Sequence, residues 1–284
     1  MRHAVLATIL ALLAWSHAAR AQGEPFTAPV AGVGGVVVAQ QAVLCRPAGS
    51  QAARLVVIAH GSPPDAAGRP RMQLGWCGSE ASQWFVQRGY AVAYFLRPGY
   101  GATGGVWTEG YRTCDVDGYA GAGRETAHAI AAAIDAATRL PGIRPDGVVV
   151  VGQSAGGWGA VAYDSLPHPK VAAFISMAGG RGGHEHDLPN SNCHPENLAA
   201  AAGRFGTTAT TPMLWVYAAN DSFFAPAIAV AMHDAFTAAG GKAALEQPGP
   251  YRRDGHRLFS GQGGSAVWGP MVERYLAQMS ASPR

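Results

Sequence analysis

Four consecutive valines, at 148–151, run directly into Gly152-Gln153-Ser154-Ala155-Gly156 and then into the helix-forming stretch 158–166. That junction constrains the fold more than any other feature of the chain. An unbroken β-branched run marks a strand buried on both faces, as in parallel sheets covered by helices. The turn that follows is tight and strained, and side chains at Gly152 or Gly156 would collide with the neighbouring strand and helix. Such a turn lifts the Ser154 hydroxyl clear of the sheet. The helix after it points the positive end of its dipole at that hydroxyl.

The rest of the chain repeats the alternation. Residues 36–43, 54–59, 90–96, 171–177, 213–217 and 242–247 read as further strands, and 116–139, 225–239 and 265–278 as helices. This order requires crossover connections, and so predicts an α/β fold: a mostly parallel central sheet with helices on both faces. No internal repeat or low-complexity linker divides residues 22–284, which read as one domain. Chemistry in such sheets sits on the loops leaving the C-terminal ends of the strands.

Those loops supply a constellation. A serine hydroxyl is a poor nucleophile until a base takes its proton, and the base needs an orienting acid. In a strand–turn–helix setting the expected chain order is serine, acid, histidine. Asp221 follows the strand at 213–217, and His256 follows the strand at 242–247, so Ser154, Asp221 and His256 form the candidate triad. Asp221 also suits a cap for the helix near Pro226, and Asp254 and Glu246 are the alternative acids. The loop His60-Gly61-Ser62-Pro63-Pro64 should supply half an oxyanion hole. Its prolines carry no N–H, leaving the amides of Ser62 and Ala155 as the candidate donors. His60 reads as a brace for that loop. Tyr100, in Arg97-Pro98-Gly99-Tyr100-Gly101, is a candidate substrate contact as well as part of a rigid turn. His184, His186 and Asp187 are a metal-ligand candidate, but the Gly-rich stretch 179–194 reads first as an exposed loop over the site. Trp158 reads as packing.

The first 21 residues have their own logic. Arg2 and His3 precede an apolar run at 4–15, and Ala19-Arg20-Ala21 is a small-x-small cleavage site. A signal peptide over residues 1–21, with export to the periplasm or beyond, is the expectation. Arg2 and Arg20 lie in it, so 21 basic and 18 acidic residues reduce to 19 and 18 afterwards. A balance that close gives no electrostatic case for nucleic acid or an anionic membrane surface. In an oxidising compartment Cys45, Cys77, Cys114 and Cys193 suggest disulfides; their spacing does not suit structural zinc. Cys77 and Cys114 both follow strands, on the edge where the active site is expected, and form the expected pair. Cys193, on the same edge, is the alternative partner for Cys114.

Taken together, His60-Gly61-Ser62, Arg97-Pro98-Gly99-Tyr100-Gly101, Gly152-Gln153-Ser154-Ala155-Gly156-Gly157, Asp221 and Asp254-Gly255-His256 make the sequence similar to α/β-hydrolases. The similarity is to the dienelactone hydrolase-like and prolyl-oligopeptidase-like branches, and it extends over most of residues 22–284. Dienelactone hydrolases proper carry cysteine at the nucleophile, where this chain has Ser154. The resemblance therefore implies a serine hydrolase that cleaves small-molecule esters through an acyl-enzyme, with no cofactor or metal. A serine peptidase-like activity and a non-catalytic binding protein on the same fold are the alternatives.

Overall fold

In the computed structural model, residues 23–49, 51–111 and 113–281 are described; the leader expected over residues 1–21 lies outside them. The four valines open strand β5 (Val148–Gln153), and their alternation sends Val148 and Val150 into one core and Val149 and Val151 into another. All four are fully buried. Each such side chain contributes about 1.5–3 kcal/mol by leaving water. Parallel neighbours flank β5: β3 (Arg54–Ala59) on one side and β6 (Val171–Met177) on the other.

The sheet continues past β6 through β7 (Met213–Val216) and β8 (Ala243–Glu246), both parallel. Past β3 it continues through β4 (Tyr90–Phe95), β2 (Val37–Cys45) and β1 (Glu24–Ala31). The last two pairings are antiparallel, which gives eight strands in the order β1-β2-β4-β3-β5-β6-β7-β8. Strand β1 was not legible in the sequence. It carries Pro25 and Pro29, which cannot donate to a ladder, and it is tolerated because it forms the edge.

Helices α2 (Val116–Ala137), α3 (Ala155–Asp164), α4 (Pro195–Gly206) and α5 (Pro226–Ala238) fill one core; α1 (Glu80–Val86) and α6 (Ser265–Ala281) fill the other. The first core is paved with alanine, among them Ala120, Ala127, Ala133, Ala160 and Ala201, so its helices approach closely. The second is aromatic, with Trp84, Phe85, Tyr94, Phe259 and Trp268. Helices α1 and α4 were also missed. Helix α1 has seven residues, and the buried face of α4 is mostly alanine and glycine, with Leu198 and Phe205 its only large side chains. No helix among the described residues is long and apolar enough to cross a membrane.

The expected Cys77–Cys114 disulfide is not formed. Cys77 pairs with Cys45, and Cys114 with Cys193. The segment before α1 does not stay on the edge where β3 ends. It crosses the sheet face at Gly75, where a Cβ would lie 2.3 Å from the Tyr94 ring, and delivers Cys77 to the end of β2. Cys114 precedes α2 and Cys193 precedes α4. Those two helix starts are adjacent, with Asn197 Nδ2 donating to the Cys114 carbonyl at 2.9 Å. The alternative partner for Cys114 is therefore the one the fold provides.

Candidate active site

Ser154 sits between β5 and α3 with φ 55° and ψ −120°, a conformation that ordinary L residues avoid. The neighbouring backbones enforce it. A Cβ on Gly152 would fall 2.1 Å from the Gly156 carbonyl oxygen, and one on Gly156 would fall 2.1 Å from that of Ala59. The Ser154 amide donates to the Met177 carbonyl at 2.9 Å, and its own carbonyl accepts from Trp158 N at 2.9 Å. The turn is thus fixed to both β6 and α3. Trp158 packs as expected, with Nε1 donating to the Tyr119 carbonyl at 2.8 Å.

Asp221 and His256 meet beside it. The His256 Nδ1 lies 3.0 Å and 3.1 Å from the two Asp221 carboxylate oxygens, and both side chains are buried. Asp221 Oδ1 also accepts from the amides of Phe223 at 2.8 Å and Phe224 at 2.9 Å. The residue therefore holds a turn and orients a histidine at once, rather than doing one job or the other. The alternative acids are occupied elsewhere. Asp254 accepts from the amides of His256 and Ser222, and Glu246 pairs with Arg274. The Phe223 ring stacks on the His256 ring at 4.0 Å between centroids, fixing its tilt.

Ser154 and His256 line one cavity of about 640 Å³. The His256 Nδ1 is engaged by Asp221, and among the described residues no hydrogen bond joins the ring to the Ser154 hydroxyl. Apolar walls come from Ile58, Pro63, Met72, Ala81, Tyr94 and Phe259. Gln153, which sequence reasoning passed over, ties the two halves together. Its Nε2 donates to the His256 carbonyl at 3.2 Å, while its Oε1 stands where a Gly61 Cβ would be.

The oxyanion candidates Ser62 and Ala155 line an adjoining crevice of about 50 Å³ together with Ser154, and Ser62 lines the larger cavity as well. Among the described residues neither amide donates to a protein acceptor. The loop bearing Ser62 is held by ions. Glu109 bridges the guanidinium groups of Arg97 and Arg181, the latter at 2.7 Å, and all three residues are at most 3% exposed. Burial alone would raise the Glu109 carboxyl; the two arginines overcome it and hold the group well below the usual carboxylate range. Arg97 also donates to the His60 carbonyl at 2.5 Å and, through its amide, to His60 Nε2 at 3.2 Å. His60 Nδ1 donates to the Gly61 carbonyl at 2.6 Å. A ring that donates at Nδ1 and accepts at Nε2 is neutral. Burial and the Arg97 charge accordingly lower its pKa to about 3. His60 braces the loop, as expected.

Tyr100 does not fill the role expected of it. It is fully buried and lines neither the cavity nor the crevice. Its hydroxyl donates within the ionic network, to Glu109 at 2.8 Å, and lies 3.0 Å from the Ser62 hydroxyl. The tyrosine supports the loop from behind. The loop at 179–194 borders the crevice through Gly180, Arg181 and Gly182, with the His184 ring 4.0 Å from that of Phe223 and tilted 31° to it, and the His186 side chain 83% exposed. Among the described residues no three His, Cys, Asp or Glu side chains are grouped to hold a metal ion.

No protein-family model matches the chain, and no curated protein matches it in sequence. Solved structures do. A Pyrococcus horikoshii acylaminoacyl peptidase is similar over 93% of this chain at a TM-score of 0.66 and 14% identity. This chain spans only 43% of that peptidase. A Pyrococcus furiosus esterase matches at a TM-score of 0.59 and 12% identity, covering 91% of this chain and 92% of its own. A Klebsiella pneumoniae protein assigned as a dienelactone hydrolase covers 91% and 99%, at a TM-score of 0.53 and 16% identity. Sheet order, elbow and structural likeness agree: the chain has the α/β-hydrolase fold, as a single domain over the described residues.

Proposed function

We propose that the protein is an exported serine hydrolase cleaving carboxylic esters. Ser154 is the nucleophile, His256 the general base and Asp221 the orienting acid. The observation that carries the reading is the Asp221–His256 hydrogen bond, with the His256 end lining the same cavity as a serine held at positive φ. His256 takes the hydroxyl proton as Ser154 attacks the ester carbonyl. The tetrahedral oxyanion is met by the amides of Ser62 and Ala155. His256 then gives its proton to the departing alcohol, and water, activated by the same ring, releases the acid from the acyl-enzyme. The signal-like residues 1–21 and the two disulfides support export.

A second reading is peptidase activity, favoured by the likeness to acylaminoacyl peptidases. A panel of p-nitrophenyl esters assayed beside peptide p-nitroanilides separates the two. Hydrolysis of the esters alone is the expected result. Faster cleavage of the anilides would reassign the activity, and no hydrolysis of either would support a binding protein instead.

A further inference from the structure

The crevice that adjoins the cavity at Ser154 carries two arginines that the reaction described above does not use. Its walls include Arg69, Trp107, Ala155, Arg181 and Phe223, and no acidic side chain among the described residues lines it. Arg69 lies over the Trp107 ring at 3.8 Å and forms no ion pair among the described residues. Arg181 is 3% exposed, and its Nε hydrogen has no protein acceptor. Glu109 balances only one of the two arginines it touches, so the buried cluster of Arg97, Glu109 and Arg181 retains one positive charge. The start of α3, at Ala155, adds the positive end of its dipole. Two guanidinium groups lining one crevice beside a helix N-terminus, with no acid between them among the described residues, suit an anion.

The position of His256 decides which half of an ester goes there. A base that protonates the leaving alcohol must lie on the alcohol's side, and His256 lines the 640 Å³ apolar cavity but not the crevice. The acyl half therefore enters the crevice. Its volume of about 50 Å³ admits only a short acid. We infer that the crevice binds the free carboxylate of a short dicarboxylic acid, and that the substrates are monoesters of such acids with a bulky apolar alcohol. This rests on the serine-esterase reading. Ser154 is acylated through one carboxyl group, the alcohol leaves with a proton from His256, and water releases the dicarboxylate.

The test compares 2-phenylethyl hydrogen malonate with its neutral isostere 2-phenylethyl malonamate, with p-nitrophenyl butyrate as an activity standard. A charge-assisted contact should favour the malonate in kcat/KM by roughly tenfold to hundredfold. The preference should shrink in Arg69→Gln and in Arg181→Gln, and free malonate should inhibit competitively. Circular dichroism establishes whether the Arg181 variant folds; if it does not, Arg69→Gln and malonate inhibition carry the test. Equal turnover of malonate and malonamate by an enzyme active on the standard would overturn the subsite and leave the esterase reading standing. So would a preference unchanged in Arg69→Gln. Inactivity on all three esters would overturn the esterase reading and this inference with it.

Discussion

Ser154 stands between two supports of different chemistry. On one side, the loops after β7 and β8 bring Asp221 to His256 through hydrogen bonds to backbone amides and a stacked Phe223 ring. On the other, the loop after β3 is fixed by Arg97, Glu109 and Arg181, ions withdrawn from water. Removing the His256 ring from the first side takes one partner from the Asp221 carboxylate, which keeps the Phe223 and Phe224 amides. Removing one member of the second leaves its partners buried and uncompensated, which is far more costly than the pair is stabilising. Substitutions on the base side should therefore take activity, and substitutions on the ionic side should take stability.

The largest effects are expected at the triad. Ser154→Ala and His256→Ala should each lower kcat by roughly 10⁴–10⁶, with melting temperature unchanged. Asp221→Ala should cost less activity, about 10⁴, but it frees the Phe223 and Phe224 amides and should also cost about 1–2 kcal/mol of stability. Paired esterase assays and thermal melts of the three variants check the division. Glu109→Gln reverses the pattern. It should cost about 3–5 kcal/mol in chemical denaturation, with a loss of kcat far below that of the triad variants.

Acid should expose the ionic side next. Unfolded, His60 takes up a proton as pH falls through its ordinary value of 6.5; folded among Arg97, Glu109 and Arg181, it resists until about 3. The unfolded state thus binds more protons across that window. Its contribution is fully present above 6.5 and declines as pH drops toward 3, by at most about 1.4 kcal/mol per unit. Thermal melts from pH 7 to 4.5 should show the decline, and His60→Gln should flatten it. The smallest effect is expected at Tyr100→Phe, which removes one hydroxyl from the network. A loss of about 1 kcal/mol with KM unchanged fits support from behind the loop; a raised KM would restore the substrate contact that its burial argues against.

The two supports also differ in how far they could be read from sequence. The base side was legible because each part is local: valines that declare a buried strand, glycines that only a tight elbow requires, and an acid and a histidine at the ends of later strands. The ionic side was not. Glu109 and Arg181 are single charges in loops without periodicity, and nothing near either in sequence states that they meet across 72 positions. Tyr100 was misjudged for the same reason, since its partner Glu109 carried no signal. The disulfides failed on topology. Four cysteines permit three full pairings, and the path that carries Cys77 across the sheet to Cys45 depends on Gly75 passing beneath Tyr94.

The central claim is that Ser154 is a nucleophile activated by His256. Incubation with a fluorophosphonate, followed by intact mass and peptide mapping, tests it directly. The account predicts one adduct per chain, on the peptide containing Ser154, greatly slowed in His256→Ala and absent in Ser154→Ala. Folded wild-type protein that takes up no label, or takes it up on another residue, would contradict it.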